Sequence, residues 1–311
     1  MKEYNYGIAI HGGAGTILRS LMTAEKEQAY TAALKEAIEA GYQVLDKGGS
    51  ALQSVERAII SLENCPLFNA GKGSVFNAQG KHEMDASIME GDTLLAGAIA
   101  AVPGVKNPIV LAHKVLTDSD HVLLVGEGAL QFGRLHDISE EKEEYFFSQH
   151  RYDQWQKIKN TDSFQLDHTE KKSKNLGTVG AVVLDKYGNL AAGTSTGGMT
   201  NKKYGRIGDS ALIGAGTYAN NKTCAISCTG SGEYFMRGVT AYDISALMEY
   251  KGMTLEEAGN EAILHTLTAL GGDGGVISID RTGNISMPFN SEGMYRAFQN
   301  KSHQEIKIYK Y

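Results

Sequence analysis

The chain has 311 residues, 42% hydrophobic and 21% charged, the balance of a folded globular protein with room for a large core. Its net charge of −6 excludes a polyanion-binding surface, so nucleic acid is not an expected partner, and the "KKSK" at 171–174 reads as solvated chain. Glycine is abundant, 37 residues against 4 prolines, which points to close backbone approaches and tight turns rather than Pro-rich linkers.

The first residues, "MKEYNYGIAIHGG", lack the long apolar run of a signal peptide, and no later stretch approaches the roughly 18 apolar residues of a membrane helix. A cytoplasmic protein with no membrane partner is expected. "YGIAIHGGAG" predicts a strand ending in a glycine turn. A helix follows over 24–46, with Tyr30, Ala33, Leu34, Ala37, Ile38, Gly41, Tyr42 and Leu45 on one stripe. A second helix over 50–62 carries Leu52, Val55, Ala58, Ile59 and Leu62 on one face, with Ser50 as its cap. Two strands, "HEMDASIME" and "LLAGAIAAV", are joined by "GDT". Helices over 107–117 and 126–134 come next.

Residues 137–176 hold "EEKEE" and little periodicity, and read as a long exposed loop with Tyr145, Phe146, Phe147 and Trp155 docking locally. Such a loop is uncommon inside a compact domain unless it has a job. Strands are then predicted at "TVGAVVLD", "NLAAGTSTGG", "ALIGAGTYA" and "CAISCTG". Helices over 232–250 and 254–270 follow, and "GVISID" and "NISMPFN" form a hairpin across "RTG". Cys224 and Cys228, four apart on a strand, share one face and read as buried thiols; with Cys65 they make no disulfide framework. The βαβ crossovers of a doubly wound fold are largely missing, and helices stacked outside two antiparallel sheets fit better.

No complete GxGxxG opens a helix, and "AGKG" at 70–73 lacks phosphate-loop spacing, so Lys72 reads as a surface residue. The nine histidines fall into no metal-ligand spacing, and no catalytic cofactor is expected. "GTSTG" at 193–197 fits G-x-S-x-G, with Ser195 as an esterase nucleophile and "HGGAG" at 11–15 as an oxyanion loop. A nucleophile elbow, however, needs a helix directly after the serine, and "GGMTNKKYG" cannot start one.

Three threonines, Thr178, Thr196 and Thr229, stand at the ends of strand candidates and are bordered by glycine, in "LGTVG", "TSTGG" and "CTGSG". Hydroxyls gathered in a pocket and plain structural turns both fit. A threonine hydroxyl is a poor nucleophile unless a base takes its proton. A free α-amine on the same residue, with a reference pKa of roughly 7.7–8.0, can be that base. Residue 178 gains that amine only if the 177–178 bond breaks. A solvated segment ending in Gly177, which tolerates close approach of Thr178 Oγ to its carbonyl, suits such a cut.

The motifs "HGGAG", "LENCPLFNAGKGSVF", "MDASIMEG", "GTVGAVVLD", "TSTGGMTNK", "GRIGDS", "SCTGSGE" and "FNSEGMYRAF" occur in the order of the plant-type (type 2) L-asparaginase and isoaspartyl peptidase family of N-terminal-nucleophile hydrolases, which the chain resembles over nearly its whole length. The resemblance implies an α+β fold, a four-layer αββα sandwich spanning 1–311 as one domain. It implies self-cleavage into an α subunit, 1–177, whose 137–177 end is a flexible linker, and a β subunit, 178–311. Two such αβ units would associate. Thr178 would be the nucleophile for cleavage and turnover. Thr196 would hold it, Thr229 and the Gly230 N–H would form the oxyanion hole, and Asn69 would support the site. Arg206 and Asp209 would grip the substrate's α-carboxylate and α-ammonium, as their charges suit. Gly232 would complete the clamp, with Ile207, Gly208 and Ser231 lining it. The substrates implied are L-asparagine and β-aspartyl dipeptides. A structural sodium ion would be held by the carbonyls of Leu62, Glu63, Cys65, Phe68, Ala70 and Lys72, since main-chain oxygen suits a hard cation. Two departures stand out. The family leads one to expect prolines near Tyr204 and at Ala211, and Gly177 replaces the Asp of the glycosylasparaginase branch, which disfavours a glycoasparagine substrate.

Overall fold

The computed structural model describes residues 5–161 and 177–310. The elements are β1 (Gly7–Gly15), α1 (Ala24–Asp46), α2 (Ala51–Glu63), β2 (Met84–Glu90), β3 (Ala96–Val102), α3 (Pro108–Asp118), β4 (Leu123–Val125), α4 (Gly126–Leu135), α5 (Glu143–Phe146) and α6 (Gln149–Ile158). After the cut predicted at 177–178 come β5 (Val179–Leu184), β6 (Leu190–Thr196), β7 (Thr217–Ala219), β8 (Cys224–Gly230), α7 (Gly232–Gly238), α8 (Thr240–Lys251), α9 (Leu255–Asn260), β9 (Gly274–Asp280), β10 (Ile285–Ser286), β11 (Gly293–Asn300) and β12 (Gln304–Tyr309).

Eight strands form one sheet in the order β12-β11-β1-β5-β6-β2-β3-β4, and four form a second, β10-β9-β8-β7. Every pair is antiparallel except β3 with β4 at the edge. The sheets face each other through an apolar layer that includes Val182, Leu184, Leu190, Ile277 and Ile279. A core containing Leu34, Ile38, Val55 and Ile59 joins α1 and α2 to the large sheet, and Phe235, Ile244 and Ile263 cover the small one. This is the αββα order expected, and it places Cys224 and Cys228 together on the buried helix side of β8.

Local chemistry explains the best-defined elements. Ser50 accepts from the Gln53 amide while the Gln53 side chain returns to Ser50 N–H, a reciprocal cap that fixes the start of α2. Thr254 and Glu257 do the same for α9.

Several expectations need correction. Part of the supposed flexible linker is helical: α5 and α6 fold against residues 74–82, burying Phe146 and Arg151 and stacking Trp155 on Phe76 at 5.7 Å. Its aromatics supply the apolar surface that weak periodicity concealed; residues 162–176 lie outside the described residues. The predicted strand "ALIGAGTYA" reduces to Thr217–Ala219, because Asp209–Ala211 form a 3-10 turn and Gly214, at φ 89°, folds the chain back. The helix over 232–250 breaks at Val239, which takes φ 48°. The helix over 254–270 changes to π-helical geometry at Glu261–Leu267. Strands β4, β11 and β12 were not anticipated, and β11 runs beside β1 for its full length. No described helix is long and apolar enough to cross a membrane.

Candidate active site

Because β5 and β6 are antiparallel neighbours, the residue before β5 and the last residue of β6 meet at one end of the large sheet. They are Thr178 and Thr196. Thr178 Oγ1 donates to Thr196 Oγ1 at 3.2 Å, and Thr196 Oγ1 donates to the Gly177 carbonyl oxygen at 3.0 Å. Asn69 Nδ2 donates to the same oxygen at 2.8 Å and to Gly198 O at 2.7 Å. Asn69 is itself fixed, since its Oδ1 accepts the Val75 amide at 3.0 Å. One carbonyl, the one preceding Thr178, therefore receives two side-chain donors, and the Thr178 hydroxyl is hydrogen-bonded to one of them, Thr196. Both threonines are nearly buried, at 8% and 3% exposure.

The other face of Thr178 is held from β1. His11 Nδ1 lies 3.0 Å from the Thr178 carbonyl oxygen and His11 Nε2 lies 3.0 Å from Ser227 Oγ on β8. Complete burial pushes the imidazole down to about 3, so it stays neutral. A carbonyl only accepts, which fixes the proton on Nδ1 and makes Nε2 the acceptor. Thr229, two residues beyond Ser227, is tied to β1 because the Ala14 amide donates to its Oγ1 at 3.2 Å. The "HGGAG" segment is thus the end of β1, packed between the nucleophile strand and β8.

The second cluster is electrostatic. Arg206 Nε donates to Glu233 Oε1 at 2.9 Å, with the arginine side chain 20% exposed. Asp209 is 5% exposed, and burial pushes its carboxyl up to about 7 despite the pull of Arg206. Its Oδ2 is buried with no hydrogen-bond partner, an acceptor waiting for a donor. Gly232 packs against the pair, since a Cβ there would stand 2.7 Å from Asp209 Oδ1 and 3.0 Å from Arg206 Nη2 and displace them. Gly230 is fixed similarly by Phe235 Cε2 at 2.2 Å. A Cβ on Gly208 would meet Arg206 Nη1 at 2.9 Å, Ile207 is half-buried beside it, and Ser231 Oγ donates to Asp273 Oδ1 at 2.5 Å. Tyr204, near which a proline was expected, has φ 57°, which no proline adopts.

The esterase reading loses its geometry. Ser195 points away from Thr194 and Thr196, is wholly buried, and donates to Glu63 Oε1 at 2.7 Å. Burial pushes Glu63 up to about 8, against donors from Ser195, Ile109 N and Asn107. No helix follows Ser195; the next element is the 209–211 turn.

The loop after α2 coils around glycines. A Cβ on Gly73 would meet Phe68 O at 2.0 Å and Pro66 O at 2.8 Å, and one on Gly71 would meet Glu63 O at 2.5 Å. Carbonyls of Cys65, Phe68 and Ala70 each accept one loop amide and keep a second lone pair, and that of Leu62 accepts the Cys65 and Asn64 amides. Lys72 Nζ lies over the Tyr145 ring at 5.3 Å. Main-chain carbonyl oxygen is the donor type that a hard cation takes. The residues sequence reasoning missed, His11, Ser227 and Glu233, sit inside quoted motifs or beside their strands, and only tertiary contact assigns them a task.

A family model described as asparaginase matches residues 4–308. The isoaspartyl peptidase of Salmonella typhimurium is 51% identical over 294 residues, covering 94% of both chains. That of Escherichia coli is 50% identical over 295 residues, covering 94% of this chain and 92% of its own. The plant-type L-asparaginase of Pyrococcus horikoshii is 42% identical over 314 residues, covering 96% and 97%.

Proposed function

The chain belongs to the asparaginase family, and from that premise we propose that it is a self-processed threonine hydrolase acting on β-aspartyl dipeptides and on the side-chain amide of L-asparagine. The observation that carries the reading is the Gly177 carbonyl, held by Asn69 and Thr196 beside the Thr178 hydroxyl.

The uncut chain has no α-amine at 178, so cleavage needs another proton route. Thr178 Oγ attacks the Gly177 carbonyl carbon as its proton passes to Thr196 Oγ, whose own proton moves to the Gly177 oxygen. The donor chain has that direction in place. Asn69 stabilises the charge that develops, an effect worth roughly 10²–10³ in rate for one good donor. The tetrahedral adduct collapses as the Gly177 oxygen gives its proton back and the Thr178 nitrogen takes one up and leaves as a free amine, with an ester now joining Gly177 to Thr178 Oγ. Water hydrolyses the ester to a Gly177 carboxylate and a free Thr178 hydroxyl.

In turnover that amine takes the Oγ proton, and Oγ attacks the substrate's side-chain carbonyl. Thr229 Oγ and the Gly230 N–H receive the oxyanion. Ammonia leaves from asparagine, or an amino acid from a β-aspartyl dipeptide, and water releases aspartate from Thr178. Asp209 Oδ2 takes the α-ammonium and Arg206 the α-carboxylate; both substrates present the same pair, so one clamp serves both. Self-association of two αβ units belongs to this proposal. So does a sodium ion on the carbonyls of Leu62, Glu63, Cys65, Phe68, Ala70 and Lys72, whose charge would stiffen the loop that carries Asn69.

Intact mass of freshly purified protein tests the reading. Fragments 1–177 and 178–311 are expected, with a Thr178→Ala chain remaining whole and inactive. A Thr178→Ala chain that still cleaves at 177–178 would overturn it.

A further inference from the structure

Between the two sheets, the apolar layer gives way at the active-site end to a line of hydroxyls. Beyond Ser227, which touches His11, Thr194 Oγ1 lies 2.7 Å from Ser227 Oγ. Thr217 Oγ1 lies 2.6 Å from Thr194 Oγ1, and Ser87 Oγ lies 2.8 Å from Thr217 Oγ1 and 2.6 Å from the carbonyl oxygen of Ser210, the residue after Asp209. Thr194 Oγ1 also lies 3.1 Å from Gly216 O. All five side chains, on β1, β8, β6, β7 and β2, have zero exposure.

We infer that His11, Ser227, Thr194, Thr217 and Ser87 form a positioning chain that couples the backbone of Thr178 to the turn carrying Asp209. It rests on the reading of Thr178 as nucleophile and Asp209 as clamp. The line begins on the Thr178 carbonyl and ends on Ser210, so it spans the distance between the reacting hydroxyl and the substrate's ammonium site. Proton counting gives it one direction. With Nδ1–H committed to the Thr178 carbonyl, Ser227 donates to His11 Nε2, Thr194 to Ser227 and Thr217 to Thr194, while Ser87 shares its single proton between Thr217 Oγ1 and the Ser210 carbonyl. Ser227 and Thr194 each give one proton and receive one. A buried network of this kind favours one arrangement where valine or alanine would only fill space. Two glycines make room for it. A Cβ at Gly180, two residues after the nucleophile, would fall 2.0 Å from Ser227 Oγ and 2.4 Å from His11 Nε2. A Cβ at Gly216 would fall 2.4 Å from Asp209 O. Misplacement of reacting groups by about 1 Å can cost 10²-fold, which is the scale such a device protects.

The test contrasts two replacements of Thr217, which contacts no substrate. Thr217→Val keeps the shape and removes the hydroxyl; Thr217→Ser keeps the hydroxyl and removes a methyl. The inference expects Thr217→Val to lower kcat/KM by roughly 10-fold or more. It expects Thr217→Ser to stay within a few-fold and to exceed Thr217→Val. Plain packing predicts the reverse order, and that order overturns the inference. A second measurement needs no activity: nitrogen-15 shifts of His11 at pH 7 in the Thr178→Ala chain. Neutral imidazole protonated at Nδ1 is expected, and an Nε2–H tautomer or an imidazolium overturns the chain even where turnover is absent. Wild-type protein that stays uncut would instead count against the nucleophile reading.

Discussion

Replacing Asp209 by asparagine should make the protein more stable and less able to bind substrate. The carboxyl is 5% exposed and its Oδ2 has no partner, so the charged form is poorly solvated. Burial raises its pKa from 3.8 to about 7. A group raised in the folded state lends stability that is full below the unfolded value and lost as pH rises through the folded one. Between those limits the loss is about 1.4 kcal/mol per pH unit, so at pH 8 it approaches roughly 4 kcal/mol, and near pH 4 it is below about 1 kcal/mol. Asparagine has no charge to desolvate. In the uncut Thr178→Ala chain, Asp209→Asn should raise the melting temperature at pH 8, by roughly 10 °C if the whole penalty is released, and by little at pH 4. Calorimetry with L-aspartate should show the opposite: losing one partner of a buried charge pair costs about 2–5 kcal/mol, or roughly 30-fold or more in affinity. An Asp209→Asn chain that melts lower than its parent at pH 8, and still binds aspartate as well, would refute the argument.

Asn69→Ala should slow self-cleavage by roughly 10²–10³-fold, followed as the fraction of 1–177 fragment against time by intact mass; an unchanged rate removes Asn69 from the reaction. Ser195→Ala should leave turnover within a few-fold while costing about 1–3 kcal/mol in a denaturant titration, because Glu63 loses a donor in a buried site. Abolished turnover with an intact fold would restore the serine reading.

Much of the architecture was legible. Helices α1, α2 and α3 carry apolar stripes at helical spacing, and Ser50 announces its cap, so their bounds fell within about two residues of those predicted. The meeting of Thr178 and Thr196 was legible too, because the chemistry of a self-made amine would tie one residue to one peptide bond. What stayed hidden depends on contacts remote in sequence. Thr194, Thr217 and Ser227 look like ordinary strand residues until two sheets are stacked, and β11 is a strand because β1 offers it a full ladder. The α5–α6 segment is polar by count, yet Phe146 and Arg151 are buried because His82 and Gly73 O await them. Val239 breaks a helix at a φ that β-branched residues avoid, which no local rule anticipates.

The strand order of the large sheet has a consequence for the life of the molecule. Strands from before residue 178 (β1, β2, β3, β4) and after it (β5, β6, β11, β12) alternate, so that β1 lies between β11 and β5, and β6 lies against β2. A cut between Gly177 and Thr178 leaves two pieces stitched together along three ladders, and neither piece holds a contiguous large sheet. The uncut chain finds this arrangement as a single molecule. Once cut and unfolded, the pieces would have to find each other by collision, each exposing unpaired strand edges meanwhile. Such a cut would turn a reversible fold into a one-time assembly, and heat that the uncut chain survives on cooling should be final for the cut one.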